Sequence, residues 1–225
     1  MMLIATTIAV ALFASTALAA APAESTAAIP PMVVYISSGA EVSVDLVSRI
    51  CAEAEAIWRT AGVTFSWRRT PRAIAPSTLT TDSGPFVPDT LRLTIGADRG
   101  GVRDGRMPLG WIVFDTATAP QQDIYLSHSN ARELLENAAG VVGVADQMPR
   151  AQRDTLLARA LGRALAHELG HYLLASKAHT ERGLMKAILT AVELFGPDAS
   201  AFRLEPAQRR TVAARLRGEP LVARR

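Results

Sequence analysis

Residues 147–174 restrict the fold of this chain more than any other stretch. Around position 167 the apolar side chains Leu157, Leu161, Ala164, Leu165, Leu169 and Leu173 recur at helical spacing and point to nearly all sides of the axis. Such a helix has no face to give to water and must be buried. It nevertheless carries His167, Glu168 and His171. Each of these would lose hydration on burial unless something else satisfies it.

The series His167-Glu168-Leu169-Gly170-His171 has the form H-E-x-x-H. Residues at i and i+4 share a helix face, so both imidazoles can reach one ion. Glu168 lies about 100° further round the axis, where its carboxylate can reach a water on that ion. A divalent cation satisfies all three groups, directly or through that water. Zinc is the expected metal, because histidine nitrogens with one open water position describe a catalytic zinc site. Water on zinc acquires a pKa near ~7, so Glu168 is the expected general base of a hydrolase. Two ligands are placed by the motif. For the third, the sequence offers His179, Glu181 and Glu193.

Gly183-Leu184-Met185 follows His179. With these residues the stretch from 167 to 185 resembles the metzincin clan of zinc endopeptidases, in which a third histidine follows H-E-x-x-H and a methionine turn lies beneath the metal. The resemblance implies that His167, His171 and His179 are the ligands, Glu168 the base and Met185 the methionine under the metal. It also implies peptide or protein substrates, bound along the edge strand expected at residues 109–114. The chain departs from the clan in having Leu174 where the clan has a glycine, and Lys177 at the clan's third-histidine position. Four residues, 175–178, separate the helix end from His179, and a turn of that length can reverse without a backbone that only glycine adopts easily. If Glu193 were instead the third ligand, from a helix within residues 184–194, the chain would be a gluzincin-type peptidase. A secreted domain with a structural zinc, or a zinc hydrolase acting on a non-peptide amide, are the other readings.

The remaining punctuation predicts an α/β (α+β) domain with a twisted mixed sheet, the active-site helix buried beneath it, and a small C-terminal helical part. Strands are expected at 32–37, 63–69, 91–95, 109–114 and 123–127, with helices at 42–61, 147–174 and 206–216. One core is expected across residues 32–225, preceded by an Ala-, Ser- and Pro-rich linker at 22–31. The loop from 70 to 90 is long, and residues 96–105 read as a plain turn, without the ligand spacing of a calcium loop. Cys51 is the only cysteine, so no intramolecular disulfide is available. Its place in an amphipathic helix suits a buried small hydrophobe. The net charge of +3 is spread over scattered arginines and makes no nucleic-acid stripe. His128, at the end of the fifth strand, has no partner legible in the sequence.

Residues 1–21 resemble a secretory signal peptide. An apolar run from Leu3 to Phe13, too short to span a bilayer, is followed by Ala17-Leu18-Ala19, with small side chains at the two positions a signal peptidase reads. A secreted or periplasmic protein, with no membrane span in the mature chain, is the expectation. N-terminal sequencing of protein from the native host should therefore find Ala20, Ala21 or Pro22 first, and an intact Met1 on cytoplasmic material would refute export.

Overall fold

The computed structural model describes residues 31–70, 91–100 and 107–219. The expected signal peptide, nearly all of the linker, the 70–90 loop beyond Thr70 and part of the 96–105 turn lie outside the described residues.

A five-stranded mixed sheet runs in the order β2-β1-β3-β5-β4. The strands are β1 (Met32–Ser38), β2 (Phe65–Arg69), β3 (Leu91–Gly96), β4 (Gly110–Phe114) and β5 (Pro120–Ser127). All neighbours are parallel except β4, which closes one edge as the antiparallel partner of β5. Alternation decides which face is covered. Met32, Val34 and Ile36 of β1, Leu91, Leu93 and Ile95 of β3, and Ile124 and Leu126 of β5 are buried, while the residues between them are half-exposed. Two helices cover the buried face.

The first, α1 (Val44–Arg59), connects β1 to β2. Ser43 caps it, its hydroxyl accepting from the Leu46 amide at 3.2 Å, and this cap sets its start two residues later than periodicity alone predicts. The second, α4 (Arg150–Leu174), is the 25-residue helix expected to be buried. It begins no earlier than Arg150 because Pro149, at the N-cap, keeps the preceding Met148 extended, with φ −80° and ψ 142°. From Leu156 to Leu173 nearly every residue is buried.

Close backbone approach holds α1 and α4 together. A Cβ on Gly162 would lie 2.5 Å from Glu53 Cβ and 2.8 Å from the Ile50 carbonyl oxygen. Trp58 Nε1 donates to the Ala166 carbonyl at 3.0 Å, one residue before His167. Fully buried Arg163 extends the tie to the C-terminal part. Its Nε donates to Glu53 at 2.9 Å, its Nη1 to the Glu193 and Leu194 carbonyls, and its guanidinium stands 4.9 Å over the Phe202 ring. Arg163 is thus spent on Glu53 rather than on Glu168.

Two helices follow β5 where the sequence predicts none: α2 (His128–Asn137) and the single turn α3 (Ala139–Val142). In α2 only Ala131 and Leu135 are buried apolar residues, so its hydrophobic stripe is too thin to stand out. It is started by Ser127, whose hydroxyl accepts from the Asn130 amide at 3.1 Å. The C-terminal part holds α5 (Ala191–Phe195) and α6 (Pro206–Leu216), the latter as predicted with proline in its first turn. Cys51 is buried as expected, and burial pushes its thiol up to about 12. Among the described residues no helix is long and apolar enough to cross a membrane.

Gly162→Ala should destabilise the protein by ~1–3 kcal/mol, since its methyl meets backbone that cannot move aside without parting α1 from α4. Urea unfolding measures this, and an unchanged midpoint would show that the helices have slack there.

Candidate metal centre

His167 and His171 stand one turn apart near the C-terminal end of α4, their ring centroids 4.6 Å apart and their planes at 83°. Each ring is held from behind by a backbone carbonyl. His167 Nδ1 lies 2.8 Å from the Leu184 oxygen, and His171 Nδ1 lies 2.7 Å from the Ser176 oxygen. A carbonyl can only accept, so each Nδ1 carries the proton and each Nε2 is left bare. Those two Nε2 atoms face each other at 3.0 Å. Two lone pairs aimed at one another repel, and a shared cation turns that repulsion into coordination.

His179 supplies a third imidazole. Its ring centroid lies 5.3 Å from that of His167 and 4.9 Å from that of His171, and one ligand atom from each of the three lies within 4.8 Å of the others. These three histidines are therefore close enough to bind a metal ion. His171 is buried, His167 half-buried and His179 exposed, which puts the site at the surface end of the helix. Glu193 is not in this group. It heads α5, where its Oε2 accepts from the Thr190 amide at 2.8 Å, and its Oε1 accepts from Lys186 Nζ at 2.7 Å. Glu181 is exposed and also outside the group.

The turn that returns His179 departs from expectation. Four residues of connection do not spare the backbone a left-handed residue: Ala175, the C-cap of α4, has φ 48° and ψ 46°. The reason is the helix end itself. Its last carbonyls must find donors, and a left-handed C-cap turns the Ala175 amide to the Tyr172 oxygen and the Ser176 amide to the His171 oxygen, both at 3.2 Å. Ser176 thereby clamps His171 twice, by its amide to the backbone and by its carbonyl to the ring. The strain, ~1–2 kcal/mol for a non-glycine residue, sits beside the candidate ligand.

Met185 is buried against Gly170, the fourth residue of the motif. A Cβ on Gly170 would fall 2.3 Å from its sulfur. The residue before it, Leu184, holds His167 through its carbonyl and is itself anchored by its amide to the Arg203 oxygen at 3.0 Å. Burial pushes the His167 imidazole down to about 4, with the nearby His171 adding to the effect, and burial also lowers His171. Both rings are therefore neutral near pH 7, the form that ligates a metal.

No protein-family model matches this chain, and no curated protein does either. The site stands on its own geometry.

Glu168, on α4, is buried against the edge strand. Its Cγ would lie 3.1 Å from a Cβ on Gly110, and the nearby Ile112 backbone favours its charged form. Loss of hydration outweighs that influence and raises the carboxyl to about 8. The same strand ends in Phe114, whose ring meets His171 edge-on at 6.3 Å and lies 5.2 Å beneath Lys177 Nζ. None of the carbonyl clamps, nor the influence of the Ile112 backbone, is legible in sequence, because backbone groups leave no residue-type signal.

Gly170→Ala should displace Met185 and with it the Leu184 carbonyl that orients His167. Metal affinity should fall ~10-fold or more, in line with losses on removing such outer partners. Competition titration with a chromogenic chelator reads this, and wild-type affinity in a folded variant would separate Met185 from the site.

Proposed function

We propose that this chain is an exported zinc-dependent endopeptidase, with His167, His171 and His179 as ligands and Glu168 as the general base. The observation that carries the reading is the pair of backbone-clamped imidazoles whose bare Nε2 atoms face each other at 3.0 Å, with His179 closing the third side. Three histidine nitrogens and, among the described residues, no fourth ligand in the group suit a catalytic zinc better than a structural one. Zinc bound there supplies Lewis acidity and a water with pKa near ~7.

Glu168 takes the proton of the attacking water and hands it to the leaving amine. Burial by itself pushes its carboxyl up to about 8, which favours the protonated form near pH 7, and a cation held by the three histidines would draw it back towards the carboxylate that acts as base. The edge strand β4 supports the peptide class of substrate. It is the last strand of the sheet, and an extended chain can lie along it by adding a strand. Gly110 of that strand comes so close to Glu168 that a Cβ there would lie 3.1 Å from its Cγ, so the edge runs beside the base.

Metal analysis of the purified protein, followed by digestion of a peptide library, tests the reading. Glu168→Gln should keep zinc and lose ~10²–10⁴ in rate. His179→Ala should weaken zinc binding by orders of magnitude, while Glu193→Ala should leave it nearly unchanged. A zinc-loaded protein that cleaves no peptide, or a Glu168→Gln variant as active as its parent, would sink the proposal.

A further inference from the structure

A second cleft of about 390 Å³ opens at the other end of α4, where the β1–α1 connection, α2, residues 145–146 and the first turns of α4 converge. Thirteen residues separate Asp154, on its wall, from His167, which is ~20 Å along a helix. The two sites are therefore distinct. Glu41 and His128 lie just beyond the carboxyl ends of the parallel strands β1 and β5, the position at which open α/β sheets bind ligands.

His128 is the group that most needs explaining. It is only 7% exposed and lines the cleft, yet among the described residues neither ring nitrogen has a hydrogen-bond partner. Its nitrogens are not among the fully buried side-chain atoms without a partner, so they open onto the cleft, where a ligand could reach them. The charges that face it are Arg132 from its own helix, Glu41 from the β1–α1 connection and Asp154 from α4; burial and Arg132 keep the ring neutral.

The other polar groups divide in two. Arg132 pairs with Glu136 and Arg150 with Asp154, each at 3.6 Å along its own helix. Among the described residues Glu41 and Asp146 have no ion-pair partner, and Arg153 reaches only the Ala145 carbonyl, at 3.5 Å. The cleft thus has two exposed carboxylates at its rim, a half-buried guanidinium and a neutral imidazole. Beneath them Leu46, Leu135, Ala145 and Leu157 make an apolar floor. A simple cation would leave Arg153 unmet, and a simple anion would face Glu41 and Asp146. One ligand bearing both charges meets all of them.

We propose that this cleft binds a small zwitterion, a free amino acid or dipeptide with an apolar side chain. The ammonium pairs with Glu41 and Asp146, and His128 accepts from it through a bare ring nitrogen. The carboxylate pairs with Arg153 and lies at the N-terminus of α4, where no side chain caps the helix. The side chain rests on the leucine floor. This volume lies in the lower part of the ~300–1,000 Å³ range of small-molecule sites.

Isothermal titration of the mature protein, both zinc-loaded and stripped with EDTA, tests the proposal with L-leucine, L-leucyl-L-leucine and the uncharged N-acetyl-L-leucinamide. One of the two zwitterions should bind in both forms of the protein, and the neutral analogue at least ~10-fold more weakly. The tighter of the two identifies the ligand size. Arg153→Met and Glu41→Gln should each weaken binding ~10-fold or more, with the melting temperature and zinc content of the parent. His128→Gln, which keeps a polar group in place, should weaken it less than either. Silence with both zwitterions up to about 10 mM would overturn the proposal. So would equal binding of the neutral analogue, or binding that EDTA abolishes while Arg153→Met and Glu41→Gln retain it.

Discussion

Everything in this molecule is arranged around covering α4. A helix that is apolar on nearly every side cannot rest on a sheet alone, and here α1 lies against it so closely that Gly162 has no space for a methyl group. Trp58 completes that contact by donating to the carbonyl just before His167. The buried arginine Arg163 then gathers Glu53, the end of α5 and the Phe202 ring around the middle of the helix. A guanidinium with no exposure is costly unless it is paired and hydrogen-bonded. Its partners come from both sides of the chain, so the C-terminal part is bound to the sheet domain through the same helix that bears the motif.

The candidate metal centre inherits its order from that packing. Two imidazoles on one helix face are near each other by periodicity, but nothing in a helix decides which ring nitrogen points inward. Here the carbonyls of Leu184 and Ser176 decide it. Leu184 is held in turn by Arg203, and Ser176 by the left-handed turn at Ala175. The ligand geometry is thus a product of the loop after α4, and the strained alanine sits where the loop must reverse. Glu168 has a different environment, pressed against the edge strand and raised in pKa by burial, although it is the neighbour of His167. Adjacent residues on one helix have received different chemistry because they face different elements.

The two ends of α4 also differ in kind. Its C-terminal end concentrates neutral nitrogens around a point that suits a cation. Its N-terminal end spreads charges of both signs around His128 and an apolar floor. Separation along a rigid helix allows each end to be formed without disturbing the other, and both lie where the helix emerges from the core.

The strong periodic signals were readable without a structure. The existence of β1, β3 and β5, the burial of α4, the proline start of α6 and the i, i+4 pair His167 and His171 follow from residue type and spacing alone, whereas the alternating burial along β1 appeared only in the fold. The helix α2 was not readable, since Ala131 and Leu135 are too sparse a stripe and its start depends on a cap at Ser127. The left-handed Ala175 contradicted the expectation of a relaxed turn, because the demand came from unpaired helix carbonyls and not from loop length. The choice of His179 over Glu193 for the group lay beyond the residues themselves. Both are good ligands at plausible distances along the chain, and only the folded molecule commits Glu193 to Thr190 and Lys186 while turning His179 toward the helix. Sequence by itself determined which side chains could serve; tertiary structure decided which ones meet, because meeting depends on backbone hydrogen bonds that no residue type announces.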